Sequence, residues 1–197
     1  MNVVERIVQT LTSSPVMYDI CQVVLEGDYH TAITETVDQT GDEKILEIGC
    51  GTGYFGQFFN NYTGVDIDPA YIAGAKRQYE SATRKFLVGD ATALDFPDKS
   101  FDKVVVINVI HHLNDDETRA ALGEAKRLAK KYVYIFDMST DRVSFITPLL
   151  LSLDNGKFIR PLEEQLKLVS GVLGVETSSV FIPPRKLLGH SVIVCRL

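Results

Sequence analysis

The stretch Ile45-Leu46-Glu47-Ile48-Gly49-Cys50-Gly51-Thr52-Gly53-Tyr54-Phe55-Gly56 decides the reading of this 197-residue chain. Ile45, Leu46 and Ile48 make a short apolar run with β-branched ends, the pattern of a buried strand that stops at Gly49. Glycine then recurs at Gly51, Gly53 and Gly56. Such spacing lets the backbone turn sharply out of a strand and bring bare N–H groups close to a ligand, where a Cβ would hold them away. A nucleotide-like ligand suits such a turn.

Two patterns overlap here. Gly51, Gly53 and Gly56 satisfy G-x-G-x-x-G, the dinucleotide fingerprint. Glu47, Gly49, Gly51 and Gly53 satisfy acid-x-G-x-G-x-G, which resembles the first motif of class I S-adenosylmethionine-dependent methyltransferases. Glu47 separates the two. A carboxylate at the strand end repels a pyrophosphate but suits a ligand that carries an ammonium and a sulfonium.

The bulk composition narrows the field. A length of 197 residues with 45% apolar and 23% charged residues fits one globular domain with a substantial core. A net charge of -6 argues against a broad grip on nucleic acid, and the basic cluster Lys126, Arg127, Lys130 and Lys131 falls where a helix end favours cations. Cys21, Cys50 and Cys195 are odd in number and lack a C-x-x-C pair, which fits reduced thiols and a cytoplasmic location. Cys50 has no cationic activator beside it and reads as a small filler of the turn. The N-terminus lacks a signal-peptide pattern, and no apolar run reaches the length of a membrane span.

Taken in order, the chain alternates. About forty residues of helical character come first, with a helix expected from Ser14 to Glu26, started by Ser14-Pro15 and stopped at Gly27. This preface, residues 1–40, reads as a helical cap over the ligand, and Tyr18 and His30 are its candidate substrate-facing groups. A core aromatic and a surface histidine are the simpler alternative. A short helix is expected from Tyr54 to Phe59, then a strand over Tyr62 to Ile67. Asp68 before Pro69 has the form of a helix N-cap, whereas Asp66 at the strand end stands where a carboxylate accepts hydrogen bonds from ribose hydroxyls. A helix to about Ser81 and a strand over Lys85 to Val88 lead to Gly89-Asp90-Ala91, where Asp90 can cap a following short helix, face an adenine, or do both.

Phe101 to Asn108, with its run of valines, reads as the central strand of a parallel sheet. His111-His112-Leu113 and an acid-rich helix start follow, the helix running to about Lys130, with a fifth strand over Tyr132 to Met138. Glu47, Asp66, Asp90, Asn108 and Asp137 all fall at expected strand ends, the edge at which a doubly wound sheet binds its ligand. Residues 139–160 read as an apolar insertion over the substrate, containing Phe145 and Phe158, with a helix that buries the same residues in the core as the alternative. Pro161 opens a helix to about Val172, and strands over Val175 to Ile182 and Ser191 to Arg196 form a closing hairpin.

Over residues 45–197 the ordered set ILEIGCGTG, GVDIDP, GDA and FDKVVVINVIHHL is similar to the class I S-adenosylmethionine-dependent methyltransferases, and most of all to their small-molecule group, where a His-His-Leu loop is common. The resemblance implies a Rossmann-like α/β fold: a seven-stranded, doubly wound, mostly parallel sheet with an antiparallel C-terminal strand, its cofactor core over 44–138 and its C-terminal helix and hairpin over 161–197. It implies S-adenosyl-L-methionine as cofactor and S-adenosyl-L-homocysteine as product. Glu47 and the turn Gly49, Cys50, Gly51 and Gly53 would hold the methionine portion. Asp66, with Ile67 beside it, would hold the ribose, Asp90 and Ala91 would face the adenine, and Asn108 and Val109 would form the floor.

Methyl transfer is a displacement dominated by orientation, so a base is needed only where the acceptor must lose a proton. His111 and His112 are the candidates, with packing or bonding to the loop as the alternative for either one. No spacing of His111, His112 and Asp115 repeats a metal-ligand pattern. The expected partner is a small molecule, aromatic or lipid-like, rather than a nucleic acid. An NAD-dependent oxidoreductase and a non-catalytic S-adenosylmethionine-binding protein are the alternatives; oligomeric state is not encoded in any motif.

Overall fold

The computed structural model describes residues 29–141, 156–182 and 189–197. Seven strands, β1 (Ile45–Ile48), β2 (Tyr62–Asp66), β3 (Arg84–Val88), β4 (Phe101–Ile107), β5 (Ala129–Ser139), β6 (Val175–Phe181) and β7 (Gly189–Arg196), form one sheet. Their order across it is β3-β2-β1-β4-β5-β7-β6. β1 to β5 run parallel, and β7 is antiparallel to both β5 and β6. The expected seven-stranded sheet with one reversed strand is present. Because β2 and β4 flank β1 on opposite sides, the chain reverses its direction of winding there, and a crevice opens at the carboxyl ends of β1 and β4.

Alternation along the strands divides the core in two. Ile45, Tyr62, Phe86, Val105 and Phe136 face one side, and Leu46, Ile48, Val65, Val104 and Ile135 the other. Helices α1 (Tyr29–Val37) and α2 (Pro69–Tyr79) cover the first side; α3 (Asp115–Leu128) and α4 (Leu162–Ser170) cover the second. In α1, Tyr29, Ile33 and Val37 recur every four residues and are fully buried, each stabilising by on the order of 2 kcal/mol. Its C-terminus is held by a lysine from the central strand. Lys103 is buried within β4 and donates to the Val37 carbonyl at 2.9 Å and the Asp38 carbonyl at 2.7 Å, while pairing with Glu43 at 2.8 Å. A cation here offsets the negative end of the helix dipole and satisfies its last carbonyls.

Start signals behave as read. Asp68 accepts from the Ala70 N–H at 2.7 Å with Pro69 in the first turn of α2. Asn114 caps α3 in a reciprocal capping box with Glu117. Elsewhere the structure departs from expectation. In place of a helix over Tyr54 to Phe59 there is a single 3-10 turn, Phe55–Phe58, whose Gly56 lies against the Tyr62 ring. No helix follows Asp90; the chain makes an isolated bridge between Asp90 and Ala93. α3 ends at Leu128 rather than near Lys130, because Ala129 is already extended and pairs with Phe101 in β4. The helix expected over Ser14 to Glu26, Tyr18 within it, and Phe145 of the insertion lie outside the described residues.

Candidate functional site

The glycine turn leaves β1 with Gly49, Gly51 and Gly53 all at positive φ, 77°, 52° and 80°. Two of them have distinct reasons to be glycine. A Cβ on Gly49 would sit 2.3 Å from the Val109 Cγ2, so Gly49 lets the loop after β4 press onto the turn. Among the described residues a Cβ on Gly51 would meet nothing within 4 Å, so against them this part of the turn presents bare backbone to open space. The Gly51 N–H donates to the Asp66 carboxylate at 2.7 Å, and the other Asp66 oxygen accepts from the Asp68 N–H at 2.9 Å. The turn is further tied to β2 through the Gly49 and Cys50 N–H groups, which both donate to the Val65 carbonyl.

Around this turn the structure gathers several of the residues read from the sequence. Ile67 is 70% exposed beside Asp66, an apolar side chain left at the rim of the crevice. Gly89 bonds back to the Asp66 carbonyl, which brings Asp90 and Ala91 to the same rim. Asp90 is exposed, and the Thr92 N–H and hydroxyl donate to it at 2.8 and 2.7 Å, holding its carboxyl below the usual range. Asn108 takes positive φ, 55°, and its N–H donates to the Phe136 carbonyl, so β4 stops there and the loop turns over the site.

Glu47 stands differently. It is 1% exposed on the first side of the sheet, and the Tyr62 hydroxyl donates to it at 2.6 Å. Burial, with Glu47 next to it, pushes the Tyr62 hydroxyl well above the ordinary tyrosine range, so Tyr62 acts as a donor that orients the acid. Burial followed by the charges of Glu47 and Asp66 likewise pushes the Cys50 thiol up, which suits an inert filler.

The loop after β4 is the second half of the site. His111 is buried, His112 is exposed, and their rings lie 4.0 Å apart. Asp137, fully buried, receives the loop: one oxygen accepts from the Val109 N–H at 3.0 Å and the Ile110 N–H at 2.7 Å. The other accepts from His111 Nδ1 at 2.5 Å and the Met138 N–H at 2.7 Å. β5 continues to Ser139, so Asp137 lies within the strand and not at its end. On the opposite side of the loop Arg160, 7% exposed, donates to the carbonyls of Ile110 and Leu113 at 2.9 Å each and to Asp115 at 2.8 Å. Gln165 of α4 and Ser191 of β7 complete the surroundings: the Ser191 hydroxyl bonds to the Gln165 amide oxygen at 2.6 Å and lies 3.2 Å from the Asp137 carbonyl.

The sequence marks Asp137 as a strand-end acid closing the apolar run Val133 to Met138, without its role in holding the loop, and Arg160 carries no local motif. His30 is not brought to this loop. It lies in the first turn of α1, stacked on Phe58 at 4.5 Å, and its Nδ1 is buried with no hydrogen-bond partner among the described residues. A cleft of about 280 Å³ opens at the opposite edge of the sheet, between Lys44, Thr63, Lys85 and Ser100, away from all of the residues read as a site.

Comparison with known proteins gives concordant likenesses. Residues 45–132 match the model of a methyltransferase domain family. A fatty-acid O-methyltransferase of Mycolicibacterium smegmatis is 36% identical over 89 residues, covering 42% of this chain and 32% of that protein. The chain thus spans about a third of the length of that relative. Among solved structures, the PH0226 protein of Pyrococcus horikoshii superposes with a TM-score of 0.70 at 20% identity, covering 100% of this chain and 99% of that one. An S-adenosylmethionine-dependent methyltransferase of Methanosarcina mazei gives 0.65 at 20% identity, covering 82% and 95%. The last two are likenesses of fold.

Proposed function

Because the chain belongs, through residues 45–132, to the class I S-adenosylmethionine-dependent methyltransferases, we propose that it transfers the methyl group of S-adenosylmethionine to a small apolar acceptor, aromatic or lipid-like. The observation that carries the cofactor half of this reading is Gly51: its amide is tied to a strand-end carboxylate while the space its Cβ would fill is open. That cradle, with exposed Ile67 and Asp90 on the same rim, fits an adenosine bearing a short amino acid tail. The bound cofactor supplies a methyl group made electrophilic by its sulfonium.

The chain's own residues divide the remaining work. Glu47, oriented by Tyr62, and the turn Gly49 to Gly53 hold the cationic amino acid end. Asp66 accepts from the ribose hydroxyls, Ile67 and Ala91 bracket the base, and Asp90 accepts from its exocyclic amine. Asn108 and Val109 form the floor. His111 or His112 takes a proton where the acceptor is a hydroxyl, carboxylic acid or similar group. An apolar acceptor is supported by the composition of residues 139–160 and by the fatty-acid acceptor in the name of the mycobacterial relative.

Calorimetric titration with S-adenosylhomocysteine and with NADH, on wild type and on Asp66→Ala, tests the reading. Binding of S-adenosylhomocysteine alone is expected. The substitution should weaken it about tenfold or more, since hydrogen bonds to a charged group contribute roughly 1.5–3 kcal/mol. Binding of NADH alone would overturn the assignment.

A further inference from the structure

The two adjacent histidines are not equivalent, and the difference lies in Asp137. A carboxylate only accepts hydrogen bonds, and three of the donors to Asp137 are backbone N–H groups, from Val109, Ile110 and Met138, which can do nothing but donate. The remaining contact, His111 Nδ1 to Oδ1 at 2.5 Å, therefore has the imidazole as donor. A neutral imidazole has one N–H, so a proton fixed on Nδ1 leaves Nε2 as the basic atom of the ring. His112, exposed on the loop with its ring 4.0 Å from that of His111, has no such bond to Asp137.

We infer that Asp137 is a positioning residue that selects His111 over His112 as the base of the site, by locking its Nδ1–H tautomer while gripping the loop that carries it. Arg160 works from the other side of the same loop. Its guanidinium bonds the Ile110 and Leu113 carbonyls while Asp137 bonds the Val109 and Ile110 N–H groups, so Ile110 is held through both its N–H and its carbonyl. Among the described residues Asp137 bonds the ring, and Arg160 with its partner Asp115 lies along the loop. Deprotonation of an acceptor by Nε2 moves one proton from acceptor to ring, and the imidazolium so formed already faces the Asp137 carboxylate.

What His111 does for an acceptor rests on the methyltransferase reading above; its tautomer does not. Imidazole nitrogens can be read directly by long-range ¹H–¹⁵N correlation spectra, with His111→Gln and His112→Gln samples to assign the rings. In wild type the His111 ring should show a protonated Nδ1 and an unprotonated Nε2 at alkaline pH. In Asp137→Asn the amide oxygen keeps the Val109 and Ile110 N–H groups and the amide NH₂ turns to His111 at the expense of the Met138 N–H bond, so the ring should switch to the Nε2–H tautomer. A wild-type ring already in the Nε2–H form would overturn the inference, even if Asp137→Asn failed to fold. So would a His111 ring unchanged in the folded variant. S-adenosylhomocysteine titrated into the same wild-type sample should bind. Loss of binding in wild type would instead sink the methyltransferase reading and leave the tautomer assignment standing.

Discussion

The two halves of the crevice are built on opposite plans. The rim at the ends of β1 to β3 is open and stitched by short, local bonds: Asp66 reaches Gly51 fifteen residues back and Asp68 two residues on, and Asp90 is held by Thr92 two residues away. The loop after β4 is buried and gripped from afar. Asp137 meets it across 26 to 28 positions and Arg160 across 45 to 50. An open rim suits a ligand that must enter and leave, and a loop fixed at both peptide poles suits a group whose aim has to survive each turnover.

The largest effect follows from breaking the grip. Asp137→Ala would leave the Val109, Ile110 and Met138 N–H groups and the His111 ring without their acceptor in a fully buried place. Removing one member of a buried charged network typically costs about 3–5 kcal/mol, and that loss is expected in urea unfolding. Arg160→Ala exposes the other pole at an edge nearer solvent, so a smaller loss is expected. If Arg160→Ala proved the more harmful, the loop would be organised from its outer side and the contrast drawn here would fail.

That contrast also explains what could be read without a structure. The turn, Asp66 at its strand end, the Asp68-Pro69 cap and the succession of strands along the chain through β5 are written in neighbouring residues, because each depends on a period of two, a glycine spacing or a cap within a few positions. Asp137 reads from the sequence as a strand-end acid, but its grip on the loop, like that of Arg160, is legible only once β5 and the stretch before α4 are folded against that loop. Lys103 is the same case: inside the run from Phe101 to Ile107 it looks like a flaw in a buried strand, and only the arrival of α1 gives it carbonyls to bond. The absent helix after Asp90 fails differently. Thr92 satisfies Asp90 locally, and the next residues bond it into a bridge before a helical turn can form.

The two glycines of the turn sharpen the comparison next, because one belongs to each half. Gly49→Ala combines a left-handed backbone with a Cβ driven into Val109, so it should destabilise by about 2–4 kcal/mol and disturb the floor. Gly51→Ala has the same backbone strain and no collision, so about 1–2 kcal/mol is expected in the same unfolding assay. Its added methyl projects into the open cradle, and S-adenosylhomocysteine affinity should therefore fall further for Gly51→Ala than thermal stability does. A Gly51→Ala protein that bound as tightly as wild type would remove the cradle from the proposed site.

The smallest effect belongs to the outermost point of the rim. The Thr92 N–H and then its hydroxyl hold the Asp90 carboxyl below its ordinary value, so the ionised form is favoured in the folded chain. For a depressed acid the stabilisation is complete above the unfolded value near 3.8 and disappears as pH falls through the lower folded value. Thr92→Val keeps the backbone bond and removes the hydroxyl. Since Asp90 faces solvent, the loss near neutral pH should stay under about 1 kcal/mol, and the wild-type and variant unfolding curves should converge at low pH once the acid is protonated in both states. Curves that stayed apart at low pH would assign the effect to packing of Thr92 instead, and would place even this exposed corner among the parts held by burial.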